Sequence, residues 1–280
     1  MSERTADERD RWALVLGASS GFGAATALAL ARDGYGIIGV HLDLRSRKAA
    51  AEAVRKEIAA AGVPVHFHNL NAANDKKRTR VIANIGEIFE ARRADGRDPF
   101  LAVFLHSLAF GTMLPYVASA PLRPDVQPRQ LEMTADVMAH SMVYWTRELF
   151  YAGLFGDGTR IFAMTSEGAS RAVPDYGPVS AAKATLEAHC RQLALELMPH
   201  SITVNALRAG IADTPASRAF PAHEELFEYA RMHNPAGRMT RVEDVAEAIV
   251  ALSSPRLHWM TGNTIGIDGG ELMGSKSMAE

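Results

Sequence analysis

Cysteine is almost missing from this chain. Cys190 is the only one among 280 residues, so no intrachain disulfide can form, and no Cys-x-x-Cys or Cys/His cluster points to structural zinc. A reducing compartment is the expectation. Excess charge is also missing: 30 Lys+Arg stand against 32 Asp+Glu, a formal net charge of -2, and the charges are scattered rather than blocked. Such a chain offers no broad basic field for counterion release, which argues against nucleic acid as a partner. Nor does any apolar run reach the roughly 20 residues of a membrane span, because the most apolar stretch, Ala24 to Val40, is broken by Arg32-Asp33-Gly34. The first residues, MSERTADERDR, are charged and lack the apolar stretch of a signal peptide. A cytoplasmic protein without membrane or metal partners is expected.

What is present is a rhythm. The run WALVL (12–16) reads as a strand buried on both faces, a glycine-rich turn follows, and AATALALARDG reads as a helix stopped at Gly34 before a second apolar run, YGIIGV. The pattern repeats with helices near 47–61 and 75–92 and strands over VPVHFHNL and FLAVFLHSL. After a helix near 134–153 come the strand RIFAMTS, a helix from Pro178 to about Met198, the strand ITVNAL, helices near 223–232 and 242–252, and the strand NTIGID. Alternation of this kind predicts an α/β fold, one doubly wound domain on a mostly parallel seven-stranded sheet. It spans 11–271, with 1–10 and 272–280 as flexible termini. Two segments break the rhythm: Gly111 to Arg129, with Pro115, Pro121, Pro124 and Pro128, and Arg208 to Pro221. Irregular segments of this length inside a compact domain are commonly functional.

Gly17, Gly21 and Gly23 lie between the first strand and the first helix as G-x-x-x-G-x-G. A backbone passing close under a pyrophosphate needs residues without Cβ, and the helix behind it supplies free N–H groups and the positive end of a dipole. This spacing resembles that of the short-chain dehydrogenase/reductase family. About 20 residues on, a carboxylate binds the ribose diol of NAD; Asp43 lies in that region, but Arg45, Arg47 and Lys48 follow and suit the 2′-phosphate of NADP. The residue at the family's usual acidic position is His41. NADPH is the expected cofactor, with NADH the alternative.

The common short-chain pattern places a tyrosine four residues before the catalytic lysine; here that residue is Val179, which has no acid-base chemistry, while Tyr176 stands seven before Lys183. A hydroxyl is needed to donate to a reducing carbonyl oxygen, and a nearby ammonium is expected to lower the phenol's pKa and to hold the nicotinamide ribose. Ser166 stands seventeen before Lys183. The Tyr-x6-Lys spacing, Val173-Pro-Asp-Tyr176 through Ala182-Lys183 and on to Glu187-Ala188, and His106-Ser107-Leu108-Ala109-Phe110 resemble the enoyl-acyl-carrier-protein reductases. Ala194-Leu-Glu-Leu197, Ile202-Thr-Val-Asn205, Asp213-Thr214 and Asn234-Pro-Ala-Gly-Arg238-Met239 are most similar to the NADPH-dependent, Bacillus-type class. The chain departs from the wider family where Asn-Asn-Ala-Gly is replaced by His106-Ser107-Leu108-Ala109, where Pro-Gly is replaced by Ala209-Gly210, and where an aromatic residue of the main enoyl class is replaced by Ser166.

That resemblance implies a Rossmann-type domain, the catalytic residues Tyr176, Lys183 and Ser166, and a dinucleotide site. The site would be made of Gly17, Ser19, Ser20, Gly21, Phe22, Gly23, Asp43, Arg45, Asn69, Leu70, His106, Ser107, Lys183, Gly210, Ile211 and Thr214. It implies reduction of a trans-2-enoyl thioester on acyl carrier protein, in fatty acid synthesis, by a homotetramer. Rival readings are a carbonyl reductase, 3-oxoacyl-thioester reductase or alcohol dehydrogenase, and a dinucleotide-binding protein without catalysis. His106 reads either as a cofactor contact or as a satisfied core histidine, and His140 as structural. Met113, Tyr116, Phe220 and Met232 either line an apolar channel or simply pack.

Overall fold

Continuous apolar runs make strands that are covered on both faces. In the computed structural model, which describes residues 9–118, 124–220 and 222–273, they form β1 (Asp10–Leu16), β2 (Gly36–His41), β3 (Val65–Asn69), β4 (Pro99–His106), β5 (Phe155–Thr165), β6 (Thr203–Ala209) and β7 (Thr264–Ile267). They pair in one seven-stranded sheet of order β3-β2-β1-β4-β5-β6-β7, parallel at every pairing. The helices are α1 (Gly21–Arg32), α2 (Lys48–Ala59), α3 (Asp75–Ala94), α4 (Pro128–Ala135), α5 (Ser141–Tyr151), α6 (Gly177–Leu197), α7 (His223–His233) and α8 (Val242–Leu252).

Side chains alternate across a strand, so β1 feeds two cores. Trp12, Leu14 and Leu16 pack with Val81, Ile85 and Phe89 of α3, Trp145 and Leu149 of α5, and Leu186 and Leu193 of α6. Ala13 and Val15 pack with Leu30 of α1, Ile58 of α2, and Val245 and Ile249 of α8. The connection from α1 to β2 shows how local chemistry aims a strand. The Gly34 N–H donates to Ala31 O at 3.0 Å and the Tyr35 N–H to Leu30 O at 3.0 Å. This Schellman closure is opened by the left-handed φ of 84° at Gly34.

Two boundaries differ from the sequence expectation. The helix expected from 134 begins at Pro128, because a proline has no N–H to lose in a first turn and its fixed φ suits that position. It then runs through a π-helical segment, Asp136–His140, into α5. Nor are residues 9 and 10 loose. Asp10 opens β1 and accepts from Arg92 Nε at 2.6 Å and Nη2 at 2.8 Å, while Arg9 Nε donates to Asp98 at 2.9 Å. The remaining expected tail residues, 1–8 and 274–280, and the prolines Pro121 and Pro221 lie outside the described residues.

The strand order reverses between β1 and β4, and in such sheets ligands bind outside the carboxyl ends of the strands at that point. The chain segments after β1, β2, β4, β5 and β6 therefore face one cleft.

Candidate active site

Three backbones meet where the sheet order reverses. Gly17 holds a φ of 90°, its N–H donates to Val40 O at 2.8 Å, and the Ser107 N–H donates to Leu16 O at 2.9 Å. A Cβ on Gly17 would overlap the Ser107 carbonyl, and one on Gly23 would overlap the Gly17 carbonyl, with the Gly17 carbonyl carbon at 2.8 Å. Ser20 is the extended N-cap of α1, its side chain makes no capping bond, and the first turn contains no acidic residue. The amides of Gly21, Phe22 and Gly23, with Ser19 and Ser20 beside them, therefore present donors and a positive helix end to the cleft. A Cβ on Gly21 would stand 3.5 Å from Thr214 Cβ, which brings the segment after β6 against the glycine loop. This cradle fits a pyrophosphate.

At the end of β2 the side chains partner one another. The Asp43 N–H donates to Asn69 Oδ1 at 3.0 Å and Asn69 Nδ2 donates to Asp43 O at 3.0 Å, while the Leu70 N–H donates to His41 O at 2.7 Å. Asp43, expected to face a ribose diol, is turned on His41 instead: its Oδ2 lies 2.8 Å from His41 Nδ1, and the two side chains are 10% and 8% exposed. The histidine in the usual acidic position needs an acceptor and takes this one. Arg45 starts an exposed 3-10 turn, Arg45–Arg47, and neither arginine side chain has a partner among the described residues.

Of the three expected catalytic residues, Ser166 and Tyr176 are brought together, while Lys183 is bonded to backbone carbonyls. Asp175, at a left-handed φ of 61°, turns the chain so that Tyr176 becomes the N-cap of α6, with Pro178 in the first turn. Such a φ costs a non-glycine residue on the order of 1–3 kcal/mol, least for Asp and Asn. The Tyr176 hydroxyl lies 3.4 Å from Ser166 Oγ, and its ring stands 5.3 Å from that of Phe220. Lys183 Nζ donates to Met164 O at 2.6 Å and to Leu108 O at 3.4 Å. Val179, in the position the common pattern gives to tyrosine, is buried in the core.

The electrostatics correct one expectation. Burial, not the lysine, dominates the phenol: it holds the Tyr176 pKa above its ordinary value, opposed by the Ser166 hydrogen bond. Tyr176 is thus a neutral donor. Burial also brings Lys183 down to about 8, with Cys190 and Glu187 opposing.

The His106 ring lies inside the protein, with its Nδ1 unpartnered among the described residues. It is fully buried, its Nε2 lies 2.8 Å from Ser141 Oγ, and that hydroxyl donates to Val137 O at 2.8 Å, so the ring ties β4 to the π segment. Burial lowers its pKa to about 3, so it is neutral. His140 and His189 share a 3.0 Å contact between α6 and that segment. Of the apolar residues, Phe220 reaches Tyr176, and Tyr116 covers Gly177, where a Cβ would be 2.7 Å from its Cζ. Met113 packs against the core, and Met232 is 63% exposed on α7.

Sequence reasoning missed Glu271. It lies just past β7, its Oε1 accepts from the Ile211 N–H at 3.1 Å, and its Oε2 from Asn234 Nδ2 at 3.4 Å. Of the other two expected residues of that loop, Gly210 donates its N–H to Ile267 O at 3.2 Å and Thr214 shares its hydroxyl with Ser217 at 3.1 Å. Among the described residues, no group of three metal-ligating side chains occurs, and no helix is long and apolar enough to cross a membrane.

Residues 17–271 match the model of the family described as Enoyl-(Acyl carrier protein) reductase. The chain is 29% identical over 170 residues to the enoyl-[acyl-carrier-protein] reductase [NADH] FabI of Aquifex aeolicus, covering 61% of this chain and 62% of that one. It is 28% identical over 271 residues to 1-cyclohexenylcarbonyl-CoA reductase of Streptomyces collinus, covering 96% and 89%. Among solved structures it is similar to the reductase LugOII, which catalyses a keto-reduction, with a TM-score of 0.79, 26% identity, and 95% and 99% of the chains covered.

Proposed function

Because the chain belongs to the enoyl-(acyl carrier protein) reductase family of the short-chain dehydrogenase/reductases, nicotinamide-dinucleotide-dependent oxidoreductases, we propose that it reduces a trans-2-enoyl thioester with NADPH. The observation that carries this reading is the placing of Tyr176 at the N-cap of α6, seven residues before Lys183, with buried Val179 in the alternative position. From the N-cap the hydroxyl reaches over the cleft rather than out of the helix face.

A bound dinucleotide would supply the hydride for Cβ of the enoyl group, and the resulting enolate would take its proton at Cα from solvent. Tyr176 donates a hydrogen bond to the thioester oxygen and stabilises the enolate that develops there. Ser166 shares that oxygen or orients the phenol, and Lys183 holds ribose hydroxyls. Phe220 and Tyr116 shield the site from water on the acyl side. Gly17 to Gly23 receive the pyrophosphate, and Asn69, Leu70 and Asp43, the last through its backbone, shape the adenine end. The acyl group rides on acyl carrier protein or coenzyme A, and the working unit is a homotetramer in the cytoplasm.

Purified protein is expected to oxidise NADPH with crotonyl thioester and to leave acetoacetyl thioester nearly untouched. Reduction of the ketone alone makes it a carbonyl reductase. That second reading draws on the Ser166–Tyr176 pair and on the keto-reducing relative. Tight dinucleotide binding without turnover on either substrate makes it a binding protein.

The preference for NADPH rests on Arg45, free at the end of β2 beside an aspartate already taken by His41. A charge-assisted hydrogen bond contributes about 1.5–3 kcal/mol, so Arg45→Ala is expected to raise the KM for NADPH about tenfold to a hundredfold. The KM for NADH stays unchanged. Steady-state kinetics with both dinucleotides check it, and equal effects on the two would remove Arg45 from 2′-phosphate recognition.

A further inference from the structure

We propose that Glu271 is a positioning residue that clamps the segment joining the two halves of the site. The proposal rests on reading Gly210–Thr214 as part of the dinucleotide site. The chain from Gly210 to Phe220 touches the glycine loop where Thr214 meets Gly21, and the tyrosine where Phe220 meets Tyr176. Its seating therefore sets the distance between the pyrophosphate cradle and the hydroxyl that faces the substrate.

Glu271 holds the first turn of the segment from below. Oε1 accepts from the Ile211 N–H at 3.1 Å, and a Cβ on Gly210 would stand 2.9 Å from Oε2. Carboxyl and loop backbone are thus in direct contact with no room for another side chain. Asn234, in the turn after α7, donates through Nδ2 to Asp268 O at 2.8 Å and toward Glu271 Oε2 at 3.4 Å, and it receives the Ala236 N–H at 2.9 Å. Three segments distant in the chain, those after β6, α7 and β7, meet on this one carboxyl group.

The chemistry is costly for a purely structural contact. Glu271 is 9% exposed, and its hydrogen-bond donors are neutral amides. Burial raises its pKa, and the neighbouring charges of Asp268 and Glu167 push the same way. An apolar residue of similar size would avoid the cost of burying this carboxyl. What the apolar residue cannot do is accept the Ile211 N–H.

The test compares wild-type protein with Glu271→Leu and Glu271→Gln by three measurements: dissociation constants for NADPH from nucleotide fluorescence, hydrogen exchange of peptides covering 208–214, and kcat against KM. Glu271→Leu keeps the side-chain volume and is expected to deprotect the Ile211 amide and weaken NADPH binding about tenfold, with thermal melting as the check on folding. Its turnover at saturating dinucleotide is expected to fall as well, about threefold to tenfold, because the displaced chain also carries Phe220 against Tyr176. Glu271→Gln keeps the acceptor and is expected to restore both the protection and the affinity. Wild-type affinity and unchanged exchange in Glu271→Leu overturn the clamp. A wild-type protein that binds neither NADPH nor NADH overturns instead the underlying reading of the segment, and the exchange data tell the two failures apart.

Discussion

Replacing Tyr176 by Phe is expected to lower turnover on an enoyl thioester about 10²–10³-fold while leaving the dissociation constant for NADPH within about twofold. The phenol is a neutral donor with no stronger partner among the described residues: its contact with Ser166 Oγ is 3.4 Å. Its ring keeps its packing on Phe220 and Gly168 when the hydroxyl is removed, so folding is untouched and thermal melting checks this. A variant retaining more than a tenth of wild-type turnover would end the claim that Tyr176 carries the reaction. The pH profile separates its role from that of Lys183. Burial holds the phenol above its usual pKa, so it stays protonated through neutral pH and into the alkaline range. Lys183 is brought down to about 8, so the ammonium is present below that pH and is lost as the pH rises through it. Turnover should therefore fall above about pH 8, and the residual turnover of Tyr176→Phe should show the same limb.

The second large effect is expected at a glycine. In Gly23→Ala the new Cβ would overlap the Gly17 carbonyl and lie 2.8 Å from its carbon. Backbone cannot yield as a flexible side chain does, so the glycine loop must move off α1. Overpacking of this kind costs about 1–3 kcal/mol of stability. The displaced loop loses its aim at the pyrophosphate, and NADPH binding is expected to weaken at least about thirtyfold, some 2 kcal/mol. Gly34 and Gly62 supply the control: both have left-handed φ, 84° and 82°, but nothing lies within 4 Å of a Cβ on either. Alanine there costs about 1 kcal/mol in backbone conformation, and dinucleotide binding is unchanged. Calorimetric melting and nucleotide fluorescence on the three variants decide the matter. Wild-type affinity in Gly23→Ala would mean that the cradle is not where the dinucleotide sits.

What the sequence determined by itself was whatever depends on neighbours along the chain. Apolar runs of five or six residues, helix formers stopped by glycine, and their alternation settle the parallel sheet, since burial on both faces is written locally in the central strands, while the edge strands β3 and β7 are only partly covered. Tyr176, Pro178 and Lys183 were legible for the same reason: the start of α6 and the spacing along it put the phenol before the helix and the lysine within. The start of α4 is legible in principle, since Pro128 suits a first turn, but Pro128 follows Pro115, Pro121 and Pro124 in an otherwise irregular stretch that masks it.

The tertiary structure alone decided the partners. His41 and Asp43 are two residues apart, yet their pairing depends on Asn69 clipping the Asp43 backbone to β3. Ser141, 35 residues away in the chain, holds the His106 ring. The phenol's raised pKa follows from burial, which no spacing reveals. Glu271 meets Ile211 across 60 residues, and nothing in its local sequence marks it. Hydrogen bonds and desolvation act over a few ångströms of space, and only the folded sheet brings those residues within that range.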